Sequence, residues 1–389
     1  MPEKNERKSK YIKRAAAVAA MLICVLISVQ LLQYFFCIPN SVDENRVLTL
    51  HKEPENSIDV LLIGSSATYS GFASAYAYEK YGFTSYPYAI GGATCTMWKP
   101  ALQDTLRTQK PKLVVVDVFG GGYETELIRT RCNQVYTIMT HYPLSAEKVS
   151  MAKEIVRDID RTSVASLLFP ILRYHTNIAP NIRKIKPRLR AEFYGPSPLK
   201  GIETRARDRK LANVDPASFT DEPAALDSTA ERSIRDFIDY CRSRDIQVLF
   251  VKFPTVLTEN DADEMLVNLR ANRILEIAKE SGYPTLNMQP LFHELGLKEK
   301  NDYYNHGHTN VRGQKKVTDY LGGYIRDEMG VGPTKLSKEN KAAWDESVRY
   351  HHAFEDMIEE MIRNGEDVDI GDSPETVDRV EKYMKEHDL

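Results

Sequence analysis

Two short segments hold the side chains that could do chemistry. The first, IGSSATYSGF, closes an apolar run and places Gly64, Ser65 and Ser66 at its exit. A serine just past a strand and a glycine can present its hydroxyl at the carboxyl edge of a sheet, with its own amide turned toward an oxyanion. A serine there serves more commonly as a helix cap. The second segment, NDYYNHGHTNVRGQKKVTDYL, carries His306 and His308 in a polar turn before a helical pattern, with Asp302 and Asn305 just upstream. Neutral imidazole is the usual general base near pH 7, and a carboxylate fixes its tautomer. Seen alone, these histidines read as surface residues at a helix entrance.

The elements that must bring the two turns together are legible from periodicity. Ile58–Ile63, Phe83–Ile90, Leu113–Phe119, Gln247–Phe253 and Pro284–Met288 are short apolar runs stopped by glycine or proline. Helical spacing lies between them, at about 73–81, 97–108, 228–244 and 263–281, and again over Val311–Met329. Near-continuous apolar strands alternating with helices predict a three-layer α/β/α sandwich around a parallel five-stranded sheet. Ligands of such sheets bind at the carboxyl ends of the strands. That rule makes Gly64–Ser66, Gly91–Gly92, Gly120–Gly122 and Lys252 neighbours. Residues 123–225 exceed any simple crossover and read as a helical cap insertion. Residues 335–389 read as a charged helical tail that packs on the domain or on a partner, and residues 40–56 as a polar loop.

Together the segments resemble the SGNH/GDSL hydrolase superfamily, which opens its domain on a strand and Gly-Asp-Ser and closes it on Asp-x-x-His before the last helix. Gly64-Ser65-Ser66 stands at the first block and His308 at the last. The match is nearer to an anchored extracytoplasmic subgroup from cell-envelope polysaccharide and teichoic-acid operons: Tyr69 and Gly71 follow the serine, and Asp302, Tyr304, His308, Asn310 and Gly313 form the last block. The resemblance spans about residues 58–329 and implies a flavodoxin-like hydrolase domain over 57–330, with Ser66 as nucleophile and His308 as base. It departs from the family in two places. Asn305 stands where the family has aspartate, so Asp302 is expected to supply the charge behind His308, with Asn305 secondary. The family's oxyanion asparagine is missing, with Gly122 about where it would be, so the hole is expected to rest on the amides of Ser66 and Gly91 or Gly92. Arg173 and His175, from an Arg-Tyr-His that the subgroup shares, and Lys252 at the fourth strand end are candidate substrate-binding residues. A capped helix end and a snorkelling lysine are their ordinary alternatives. Tyr69 and Trp98 could line a sugar site, though core packing is the commoner use.

Charge and composition narrow the setting. A net charge of −3 is not that of a nucleic-acid binder. No Cys/His cluster has metal spacing, His351-His352 is an isolated pair, and no cofactor is expected. Residues 1–14 are basic and residues 15–38 are uncharged and long enough to span a bilayer. The basic flank predicts a cytoplasmic N-terminus with the rest outside. The run ends in Gln-Tyr-Phe-Phe-Cys, without the small residues of a cleavage site, which favours an uncleaved anchor over a signal peptide. Cys95, Cys132 and Cys241 read as buried free thiols. The resemblance implies an ester-linked acyl group, acetyl or D-alanyl, on an envelope polysaccharide or teichoic acid, and a multispanning O-acyltransferase partner; the apolar run implies contact with membrane lipid through the N-terminal helix. The basic residues of the insertion, from Arg183 to Lys210, would suit such a polymer or anionic lipid. The alternative is a binding scaffold that keeps the fold without catalysis. A lipid esterase would need a long apolar groove, against which the basic insertion argues.

Overall fold

The computed structural model describes residues 2–33, 35, 41–178, 182, 185–186, 189, 193 and 195–389. Five parallel strands form the central sheet: β1 (Val60–Gly64), β2 (Ser85–Ala89), β3 (Leu113–Asp117), β5 (Val248–Lys252) and β6 (Thr285–Asn287), in the order β2-β1-β3-β5-β6. Side chains alternate between two cores, as strand geometry requires. Leu61, Ile63, Val114, Val116, Val248 and Phe250 face one helical layer. Val60, Leu62, Leu113, Val115, Leu249 and Val251 face the other. The chain is therefore a three-layer α/β/α sandwich, and each predicted strand lies within a residue or two of its place. Trp98 and Tyr69 are both buried, and Trp98 packs edge-on against Phe237 and Phe250.

One region departs from the expectations. Residues 40–56 are not a loop in their described part: Val42–Leu50 forms a helix, α2 (α1 being Pro2–Leu32), capped by Ser41 and Glu44. Its Arg46 is buried, ion-paired to Asp43 (2.6 Å) and Glu203, and donates to the carbonyl oxygens of Ala89 (2.8 Å) and Gly201 (2.9 Å). The guanidinium also lies 4.1 Å over the Tyr69 ring. A polar-looking segment is thus anchored by one cation whose partners lie up to 157 residues away.

Several helices of the insertion pack against the sheet. Ile128, Val135, Ile138, Met139 and Met151 join the core on one face of the sheet. The tail folds back as a long helix, Lys338–Arg363, a short strand β9 (Asp369–Gly371) and a last helix, Pro374–Glu386. β9 pairs antiparallel with β4 (Glu203–Arg205) of the insertion. Arg205 and Arg207 ion-pair with Asp367, so part of the basic run answers the tail's own acids. Arg183, Lys184, Arg188 and Arg190 lie outside the described residues. Cys95, Cys132 and Cys241 are buried free thiols, and His351 is buried rather than solvated.

Among the described residues one helix, Arg7–Leu32, is long and apolar enough to cross a membrane. An uncleaved anchor and a signal sequence both fit it. Tyr34, Phe36 and Cys37, on which the cleavage reading leaned, lie outside the described residues.

Candidate active site

β1 delivers Gly64 and Ser65 to the carboxyl edge, and the helix Ser66–Gly71 (α3) starts at once. Gly64 is required there, because a Cβ would collide with Thr68 Oγ1 and stand 2.6 Å from Asp117 Cβ. Ser66 is the first residue of α3, so helix geometry leaves its amide and that of Ala67 without intrahelical acceptors. Asp117, at the end of β3, lies beneath this turn. Its carboxylate accepts from Ser65 Oγ (3.4 Å), Thr68 Oγ1 (3.3 Å) and the Phe119 amide (3.1 Å). Burial pushes its pKa up to about 6.

The histidine turn comes from the short hairpin β7 (Tyr303–Asn305) and β8 (His308–Thr309). Tyr303 Oη donates to the Pro254 carbonyl (3.0 Å), and the Val256 amide donates to the His306 carbonyl (2.8 Å). These bonds fasten the hairpin to the exit of β5. Thr309 Oγ1 donates to the Ser70 carbonyl (2.6 Å) and Gln314 Nε2 to the Tyr69 carbonyl (2.9 Å), which clamps α3 against the last helix of the sandwich, Val311–Asp327.

These fastenings bring Ser66 Oγ to 2.5 Å from His308 Nε2, across 242 residues of chain. On the other side of the ring, His308 Nδ1 lies 2.6 Å from Asn305 Oδ1. The Gly307 amide donates to the same oxygen (3.0 Å), which orients the Asn305 amide group with oxygen toward the ring. Nδ1 therefore carries the proton and Nε2 is free to accept from Ser66. Tyr304 stacks on the imidazole with ring centroids 5.3 Å apart. Burial lowers the His308 pKa to about 4, so the imidazole is neutral at ordinary pH.

Asp302 is not the acceptor for His308. It is fully buried, ion-paired to Lys316 (2.6 Å), and accepts from the Lys298 amide (2.7 Å) and Asn301 Nδ2 (2.8 Å). Its backbone oxygen takes the Asn310 amide (2.9 Å), so it shapes the turn. The three-residue spacing decides: Asn305 and His308 are β-hairpin partners, and Asp302 precedes the hairpin.

Ser66 and His308 open onto a cavity of about 320 Å³ whose wall includes Phe119, Tyr123, Thr255, Asp261, Glu264 and His306. Two carboxylates and no lysine or arginine stand on its described wall. Asp261 is held below the usual range by bonds from Thr258 and sits 3.4 Å from His306 Nδ1, while burial and its acidic neighbours raise Glu264.

The other predicted residues lie off this wall. The Gly91 amide faces Asp43, at 3.1 and 3.3 Å from its two oxygens, so it is not a free oxyanion donor. Gly92 packs against Arg131 and Gln134. Arg173 donates to Asn133 Oδ1 (2.6 Å) and stacks over Tyr136, and His175 is exposed in a single 3-10 turn. Lys252 is buried, donates to Asn272 Oδ1 (2.6 Å) and the Asn268 carbonyl (3.3 Å), and burial lowers its pKa to about 7. Its partners are neutral groups of one helix, Ala262–Glu280, and it closes the strand end instead of meeting an anion. Sequence reasoning passed over Asp117 and Tyr123; a single acid ending the apolar run LVVVD was the available signal for the first.

No family model matches the chain, and no curated protein does. Among solved structures it is similar to a protein assigned to the G-D-S-L lipolytic family from Desulfitobacterium hafniense, at 11% identity and a TM-score of 0.33 over 69% of this chain and 98% of that one. It is similar to an acetylxylan esterase from Geobacillus stearothermophilus, at 11% identity and a TM-score of 0.36 over 73% of this chain and 99% of that one. It is also similar to a family two carbohydrate esterase from Clostridium thermocellum, at 8% identity and a TM-score of 0.29 over 72% of this chain and 66% of that one. Groups of His, Cys, Asp and Glu able to hold a metal ion are absent among the described residues.

Proposed function

We propose that the protein is a serine esterase or O-acyltransferase acting on ester-linked acyl groups. The observation that carries this reading is the continuous Ser66–His308–Asn305 chain of contacts, 2.5 and 2.6 Å long, on the wall of a cavity. Ser66 Oγ attacks the acyl carbon as its proton passes to Nε2 of His308. Asn305 holds the proton on Nδ1 and so keeps Nε2 basic. His308 then returns the proton to the leaving oxygen. Water or a second hydroxyl takes the acyl group by the reverse steps.

The finer reading rests on the motif resemblance and the apolar helix together. The acyl group is acetyl or D-alanyl, the carrier is an envelope polysaccharide or teichoic acid, and the domain works on the outer side of the membrane that α1 spans, beside a multispanning O-acyltransferase. Protection of residues 41–389 from protease added to intact spheroplasts would exclude that topology.

The activity itself is tested with a serine-reactive fluorophosphonate on the full chain. Wild type and Ser65→Ala should be labelled, and Ser66→Ala should not. Equal labelling of wild type and Ser66→Ala would place the nucleophile elsewhere; no labelling of wild type would favour the scaffold reading, for which the occupied Gly91 amide speaks.

A further inference from the structure

The oxyanion side of the cavity is short of donors. Asp43 holds the Gly91 amide, and Gly122, about where the resemblance places the family's oxyanion asparagine, has no side chain. Gly122 has no room for one, because a Cβ there would lie 2.6 Å from the Val267 carbonyl oxygen, directed into the Ala262–Glu280 helix. The next residue does face the cavity: Tyr123 lines it together with Ser66 and His308. Its ring stands edge-on to Phe119, with centroids 6.1 Å apart at 90°. The Phe119 amide in turn donates to Asp117, the carboxylate that also takes Ser65. One buried acid thus ties down both the nucleophile turn and the loop that carries Tyr123.

Thr255 and His306, two rival side chains on the wall, have partners, and the Ala67 amide is a backbone donor beside that of Ser66. Thr255 gives its amide (2.8 Å) and its hydroxyl (3.4 Å) to Gln289 Oε1. His306 faces Asp261. The Tyr123 hydroxyl makes no hydrogen bond to any described residue.

We propose that Tyr123 is the side-chain donor of the oxyanion hole, in place of the amide that position 122 has no room to carry. The assignment rests on the Ser66 reading above. As Ser66 Oγ bonds the acyl carbon and its proton moves to His308, negative charge collects on the carbonyl oxygen. The phenol O–H and the first-turn amide of Ser66 donate to that oxygen. Burial raises the phenol to about 12, so it stays protonated and able to donate across the working pH range.

The test is the rate at which the fluorophosphonate modifies Ser66, since that reaction also builds charge on an oxygen in the hole. Tyr123→Phe removes one oxygen and no protein hydrogen bond, so its thermal midpoint should match wild type. Its maximal labelling rate should fall about 10²–10³-fold, the usual cost of one oxyanion donor, with the half-saturating probe concentration changed less than about three-fold. A packing role would move the midpoint and the half-saturation instead. A maximal rate within about three-fold of wild type, in a protein that Ser66→Ala silences, overturns the role of Tyr123 and leaves the Ser66 reading standing. Labelling that survives Ser66→Ala, or a wild type that is not labelled, overturns both.

Discussion

Replacing Asn305 with aspartate is the sharpest probe of the site, because it changes one charge at the contact that orients the base. His308 Nδ1 donates across 2.6 Å to Asn305 Oδ1, and that oxygen also takes the Gly307 amide. An aspartate in the same rotamer keeps both bonds and adds a negative charge. Burial holds His308 at about 4 against an ordinary 6.5. Restoring the ordinary value is equivalent to about 3.4 kcal/mol of support for the imidazolium, at about 1.36 kcal/mol per pH unit. Losing the aspartate costs a characterised serine triad about 10⁴ in kcat, which sets the ceiling for the gain here. The sign in pH follows from the base having to be neutral. In wild type the rate should rise with pH through about 4 and be flat above 6. In Asn305→Asp that limb should move up toward 6.5, while the plateau near pH 8 is equal or higher. The assay is the labelling rate of Ser66 from pH 3.5 to 9. An acid limb that stays near 4 in Asn305→Asp would refute the argument that this contact governs the base, and so would Asn305→Ala reacting as fast as wild type.

Two further substitutions separate stability from chemistry. Asp117 has its pKa raised by burial from 3.8 to about 6, so the folded protein binds the extra proton and stability falls as pH rises between those values. Asp117→Asn cannot ionise and should be more stable than wild type by up to about 3 kcal/mol above pH 6, with the advantage gone by pH 4; denaturant midpoints that differ equally at both pH values would contradict the linkage. Asp302→Asn should lower stability by about 1–3 kcal/mol, because Lys316 and the Lys298 amide lose a buried carboxylate, and should leave the maximal labelling rate nearly unchanged. A large loss of rate in a stably folded Asp302→Asn would restore that residue to the catalytic chain.

The sequence by itself determined the sheet and the two ends of the site. Runs such as VLLIG and LVVVD are buried on both faces, and only parallel strands between helices suit them, so periodicity sufficed. Ser66 and His308 were picked out by the resemblance of their two blocks to the SGNH/GDSL pattern, since each block taken alone reads as a helix cap or a surface turn. Which acid or amide stands behind His308 was not legible. Asp302 and Asn305 differ by three residues, and only the hairpin pairing of Asn305 with His308 decides between them. The fate of the Gly91 amide depended on Asp43, whose helix looked like a polar loop because its one strong anchor, Arg46, finds Glu203 across the fold. Arg173, His175 and Lys252 have the right types for binding an anion, yet type says nothing of direction: tertiary packing turned Lys252 onto Asn272 and Arg173 onto Asn133. Local pattern fixes where the backbone turns, whereas hydrogen-bond partners far apart in the chain are chosen only when the layers close. That is why the two turns that meet at Ser66 and His308 could be read from the sequence, and the residues packed around them could not.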